Sequence, residues 1–166
     1  ITQMAEYLPL IEHYYQTRYP NKDIDFVNKG MSGNTVQRVI DRFDWDITED
    51  YYSGKIDEAT LMIGMNDIVS GASYTNGTQG AEDAAINNCI SGVEKVIKLC
   101  HDKHISLTLI TPTAYDETEY ETETASEIGR NSYGMKNFSE KLKALAEKYD
   151  VPIIDLWTAT TDKIAE

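Results

Sequence analysis

Ala59-Thr60-Leu61-Met62-Ile63-Gly64-Met65-Asn66-Asp67 is the stretch that decides the fold. Its first five residues have the length and apolar character of a buried parallel strand, a type of strand covered on both faces. Gly64 then permits a sharp turn, so Asn66 and Asp67 fall where a strand end meets a loop. Open α/β sheets place their ligands at such ends. The same arrangement occurs upstream, where Ile24-Asp25-Phe26-Val27 runs into Asn28-Lys29-Gly30-Met31-Ser32-Gly33-Asn34-Thr35. Two strand ends, each followed by glycine and a neutral hydrogen-bonding side chain, are candidates to converge on one site.

Working outward, a helix is expected from Leu8 to Tyr19, with Pro9 in its first turn and Pro20-Asn21 at its end. A strand follows over Asp23 to Asn28. A second helix opens near Asn34 or Thr35, with Val36, Val39, Ile40 and Phe43 on one face, and short helical turns fill Asp41 to Lys55. Ser70 to Gly80 is rich in Gly, Ser, Thr and Asn and reads as a loop. Ala81 to Cys100 is the clearest helix, because Ile86, Cys89, Val93, Val96 and Cys100 recur at three- and four-residue steps. Ile105 to Ile110 is a strand that stops at Thr111-Pro112. Thr113 to Glu127 is acidic, without Lys or Arg, and reads as a solvated loop. A long helix from Arg130 to Tyr149 directs Met135, Phe138, Leu142, Leu145 and Tyr149 inward. Asp150 to Asp155 is a fourth strand, and Leu156 to Glu166 shows no clear element. Helix and strand alternate throughout, which implies a parallel sheet covered by helices and one α/β domain spanning residues 1–166.

The composition fits a globular chain, with 41% hydrophobic residues in 166. A net charge of −13 argues against a nucleic-acid partner, which requires a basic face. No apolar run approaches the ~20 residues of a membrane span. Cys89 and Cys100 share one helix, ~16 Å apart, too far to bridge and spaced to face the core.

Read alone, each Gly-containing stretch is open to two interpretations. Gly30 to Thr35 is either a tight turn with Asn34 or Thr35 capping the next helix, or part of a site. It is neither a dinucleotide fingerprint nor a phosphate loop, lacking the third glycine and the Gly-Lys-Ser/Thr. Gly64 to Asp67 is either a turn built from Asn and Asp or a second part of that site.

Together and in this order, the two stretches resemble the second and third sequence blocks of the SGNH (GDSL-type) hydrolases, a family of esterases and lipases. Asn28 to Thr35 is similar to the second block, and Ile63 to Ile68, with Gly64-Met65-Asn66-Asp67 intact, to the third. Ile1-Thr2 is similar to the residues that follow the family's Gly-Asp-Ser block. The resemblance implies a three-layer α/β/α fold with a mostly parallel, flavodoxin-like sheet of about five strands. It implies ester cleavage by a serine paired with histidine, without a cofactor. It assigns the oxyanion hole to the Gly33 N–H and the Asn66 side chain, and to Asp67 a role in orienting the loop. Asn34 stands where many relatives carry Asp and is assigned to capping. The nucleophilic serine is expected immediately before Ile1, and the Asp-x-x-His pair after Glu166. The sequence is therefore expected to be an internal piece of a longer catalytic domain, incomplete at both ends.

His13, His101 and His104 are the only histidines, and their positions on helices and at a strand start argue against catalysis. Ser32 is assigned to turn formation, and no ligand cluster supports a metal. Met65 is either pocket lining or core. Tyr115 and Tyr120 follow a strand's C-terminal end, where a loop either shapes substrate choice or is merely solvated. The expected function is hydrolysis of short-chain acyl esters, with O-acetyl groups on carbohydrates favoured. The alternatives are a lysophospholipase or thioesterase, and a non-catalytic small-molecule binding module on the same scaffold.

Overall fold

The computed structural model describes residues 7–48, 56–68, 79–114 and 132–164. They belong to two compact units, Ile1–Asn34 and Thr35–Glu166.

In the first unit, α1 (Leu8–Arg18) starts with Pro in its first turn and buries none of its residues. The Thr17 hydroxyl bonds back to the His13 carbonyl at 2.9 Å, and the Tyr19 N–H closes the helix on the Tyr15 carbonyl at 2.8 Å. The ring of Tyr15 packs near those of Tyr14, Tyr19 and Phe26. The strand expected over Asp23 to Asn28 does not form. Its apolar alternation suits a strand, but strand structure requires a hydrogen-bonded neighbour, and the sheet's three strands do not include this segment.

The second unit holds α2 (Val36–Asp41), α3 (Phe43–Thr48), β1 (Glu58–Met62), α4 (Gln79–Asp102), β2 (Ser106–Ile110), α5 (Ser132–Tyr149), β3 (Ile153–Ile154) and α6 (Leu156–Ile164). The strands are parallel in the order β1-β2-β3, with Met62 opposite Ile110 and Ile110 opposite Ile154. The connections β1-α4-β2 and β2-α5-β3 step the same way across the sheet, and α4 packs against α5. Leu107 and Leu109 of β2 face them in one core with Ile86, Cys89, Val93, Met135, Phe138 and Leu142. Both cysteines are buried and free.

Three expectations are corrected here. β1 is not buried on both faces: Thr60 is exposed, and Ala59 and Leu61 are half-buried. It lies at the edge of this three-stranded sheet, and full burial falls on central β2, where Leu109 is fully covered. The fourth predicted strand is shorter than Asp150 to Asp155. The Val151 N–H is committed to the Ala146 carbonyl at 2.9 Å, and Pro152 has no N–H to give. The tail from Leu156 is not featureless but helical. Asp155 caps it, accepting the Thr158 N–H at 3.0 Å and the Thr158 hydroxyl at 2.7 Å.

The two long helices end alike. The Ile105 N–H bonds to the Cys100 carbonyl and the His104 N–H to that of His101, as Val151 and Asp150 bond to Ala146 and Glu147. His104 (φ 58°) and Asp150 (φ 53°) occupy the left-handed position of this helix-ending motif. Each helix thus turns within three residues into the next strand.

Candidate functional site

The register sets Met62, Ile110 and Ile154 level with one another, so the residues after them start from one edge of the sheet, the carboxyl edge. After β1, Gly64 adopts φ +113°, and a Cβ there would stand 2.6 Å from Cε1 and Cζ of Phe138. Both the conformation and the close approach require glycine. Residues 65–68 then form a helical turn, closed by the Ile68 N–H on the Gly64 carbonyl at 3.0 Å. Ile68 is fully buried beneath it. Asn66 is half-buried in this turn, and Met65 packs in part against the core.

Asp67 fastens the turn from the other side. Its carboxylate accepts the Val36 N–H at 3.0 and 3.2 Å, capping α2 from 31 residues away. Thr35 occupies the N-cap of α2 without a side-chain capping bond, so the capping expected of Asn34 or Thr35 is supplied by Asp67. A carboxylate is the stronger acceptor for the positive end of a helix. Burial raises the Asp67 carboxyl above its ordinary value, against the opposing pull of these hydrogen bonds.

The edge beside β3 is fastened as well. The Thr111 N–H bonds to the Ile154 carbonyl at 3.0 Å. The buried Thr111 hydroxyl accepts the Trp157 N–H at 2.8 Å and donates to Asp155 at 3.3 Å. Lys143 reaches Asp155 at 2.8 Å. Burial alone would raise the Asp155 carboxyl, but Lys143 and the Thr158 N–H and hydroxyl outweigh it and bring it down to about 2.

In the first unit, the Asn34 N–H closes a turn on the Met31 carbonyl at 3.4 Å, and the Asn28 side chain accepts the Gly30 N–H at 2.9 Å. Gly33 in that turn has φ +73°, with nothing within 4 Å of a would-be Cβ. Its need for glycine is conformational. Ser32 lies in the same turn.

His13 is exposed on α1, and His101 and His104 are exposed at the strand-start edge, away from the Gly64–Asp67 turn. An open groove of about 530 Å³ at that edge, between Glu58, Ser106, Tyr149 and Pro152, is lined by His101 and by no residue of the Gly64–Asp67 turn. Among the described residues no group of three or more His, Cys, Asp or Glu is placed to hold a metal. No helix among them is long and apolar enough to cross a membrane. Tyr115, Tyr120 and most of the acidic stretch lie outside the described residues. Cys89 is a buried member of the core, as its helical spacing predicts. The Asp155 cap carried a local signal, an Asp ahead of the apolar pair Leu156-Trp157 with Thr three residues on.

Comparison with known proteins places these features in context. The family model of the GDSL-like lipases and acylhydrolases matches residues 2–165. The acetylxylan esterase Axe2 from Geobacillus stearothermophilus is 23% identical, with a TM-score of 0.70 over 96% of this chain and 66% of its own. The acetyl xylan esterase AlAXEase is 21% identical, with a TM-score of 0.71 over 96% of this chain and 74% of its own. The gut microbial diltiazem-metabolizing enzyme BT4096 is 23% identical, with a TM-score of 0.70 over 90% and 33%. The chain thus spans just under two thirds of the length of Axe2. No curated protein sequence matches it. These likenesses give the fold, an α/β/α arrangement around a mostly parallel sheet.

Proposed function

The chain belongs to the GDSL-like lipase/acylhydrolase family, and we propose that it acts there as a serine ester hydrolase on short acyl esters, O-acetyl groups on carbohydrates first among them. A serine immediately before Ile1 attacks the acyl carbonyl, while a histidine of an Asp-x-x-His pair beyond Glu166 takes its proton. The Gly33 N–H and the Asn66 carboxamide donate to the oxyanion of the tetrahedral intermediate. Its collapse expels the alcohol, and water then releases the acyl group. Neutral donors suit this task, because they stabilise a developing negative charge without burying an opposing one.

The observation that carries the reading is the Val36–Asp67 hydrogen bond. It holds the start of α2 to the turn that bears Asn66. The preference for acetyl groups is supported by the acetylxylan esterases of like fold. The test is turnover of p-nitrophenyl acetate, and of acetylated xylooligosaccharides, by the full-length protein. Asn66→Ala is expected to lower kcat by about 10²–10³-fold. Undiminished turnover in that variant, or no turnover by the parent, overturns the proposal.

A further inference from the structure

The first turn of α6 is tied to a residue 46 positions away, and neither end of the tie takes part in the reaction just described. A helix leaves its first N–H groups without partners in its own ladder. At the start of α6, Asp155 takes the Thr158 N–H, but the Trp157 N–H goes to the Thr111 hydroxyl at 2.8 Å. Thr111 stands immediately after β2 and is fully buried. Its hydroxyl donates in turn to Asp155 at 3.3 Å, and its own N–H bonds to the Ile154 carbonyl at 3.0 Å. One helical turn on, the roles reverse: the Ala114 N–H donates to the Thr160 hydroxyl at 2.8 Å. The exit of β2 and the opening of α6 are thus joined twice at the same offset of 46 residues. We infer that Thr111 is a positioning residue, its buried hydroxyl fixing α6 to the exit of β2 and thereby the path by which the chain brings its histidine to the carboxyl edge.

The geometry suits this role better than packing alone. Burial of Trp157 in the core seats α6, but apolar contact is non-directional. Two hydrogen bonds a turn apart fix the rotation of the helix and its slide along the β2 exit. Helix α5 refers both sides of the proposed site to one frame. Its Lys143 donates to Asp155 at 2.8 Å, and its Phe138 lies against Gly64, two residues ahead of Asn66. A general base must stand within hydrogen-bond reach of the proton it takes, and a displacement of about 1 Å can cost up to 10²-fold in rate. The histidine proposed beyond Glu166 follows α6 in the chain, so a shift of this helix is passed on to it.

The inference rests on that histidine acting as general base, and its test separates the two claims. The full-length protein is compared with Thr111→Val, Thr111→Ser and Thr160→Val, and with a variant carrying alanine at the proposed histidine. Turnover of p-nitrophenyl acetate is read together with the rate at which a fluorophosphonate labels the serine. In that step the serine oxygen bonds to phosphorus, fluoride leaves and the histidine takes the proton. Valine keeps the shape of Thr111 and removes its hydroxyl. Thr111→Val is expected to lower kcat and the labelling rate together, about five- to thirtyfold, with KM nearly unchanged. Thr111→Ser, which restores the hydroxyl, should recover most of the loss, and Thr160→Val should show a smaller loss of the same kind. Rates are taken well below each variant's melting temperature, where lowered stability alone does not move them. If Thr111→Val does not fold, Thr160→Val decides in its place. Full activity in the deciding variant, no recovery in Thr111→Ser, or a change confined to KM overturns the inference. If loss of the histidine abolishes turnover while the deciding variant keeps its full rate, only the positioning role falls. If loss of the histidine leaves turnover intact, both readings fall.

Discussion

The ring of Phe138 lies so close to Gly64 that a side chain there would meet Cε1 and Cζ at 2.6 Å. Helix α5 thereby sets the depth at which the strand end turns, and with it the start of the Gly64–Asp67 segment. Gly64→Ala faces two penalties, a φ of +113° and the overlap with Phe138. The expected destabilisation is roughly 2–4 kcal/mol, read from urea denaturation. Phe138→Leu in the same background should recover part of it, since it relieves the overlap and leaves the backbone cost.

Gly92 poses the opposite conflict. Alanine is the better helix former by about 1 kcal/mol, yet its Cβ would stand 2.5 Å from Val36 Cγ1. Overpacking costs about 1–3 kcal/mol, so Gly92→Ala is expected to destabilise. The same substitution made in Val36→Ala should be neutral or stabilising. A double-mutant cycle by chemical denaturation checks the change of sign.

Asp155 makes stability depend on acid. Its carboxyl lies at about 2 in the fold against an ordinary 3.8. A depressed carboxyl contributes stability that is complete above its unfolded value and is lost as pH falls through its folded one. Lys143→Met removes the ammonium that donates to it. At pH 7 this substitution is expected to cost roughly 0.5–1 kcal/mol, given the partial exposure of the pair. The gap between variant and parent should narrow as pH falls from about 4 toward 2, measured by thermal melts along a pH series.

Asp155→Ala tests the cap itself. It frees the Thr158 N–H, the Thr158 hydroxyl, the Thr111 hydroxyl and Lys143 together. A loss of about 1–2 kcal/mol is expected, whereas Asp155→Asn, still an N-cap residue, should lose less. Hydrogen exchange in α6 is the direct measurement: its first-turn amides should exchange faster in Asp155→Ala.

Where the sequence was informative, the signal was local and repeated. The steps Ile86, Cys89, Val93 and Cys100 predicted the buried face of α4, and Met135, Phe138, Leu142 and Leu145 that of α5, because helix period and burial are written in the same residues. The Gly64 turn was equally legible, since a glycine between an apolar run and Asn-Asp has few other uses. What escaped depended on partners remote in sequence. Residues 23–28 carry strand chemistry, but the chain cannot say which neighbour completes a ladder. The half-exposure of β1 follows from its place in the sheet order, not from its own side chains. Asp67 capping α2 joins positions 31 apart, beyond the reach of rules that look for a cap beside its helix. The α6 cap was local and was overlooked for want of apolar periodicity downstream. Of the proposed site, the residue types could be read directly, but not the fastening of the Asn66 turn through Asp67 and Phe138.

The matched helix endings have a consequence for how this scaffold can vary. Residues 103–105 and 150–152 are all that separate α4 from β2 and α5 from β3, and each triplet is committed to terminating a helix. The connections from β1 to α4 and from β2 to α5, residues 63–78 and 111–131, are longer in sequence. The spacing of the frame is thus set at the two helix-to-strand turns, and a single residue added to either triplet would throw a strand out of step.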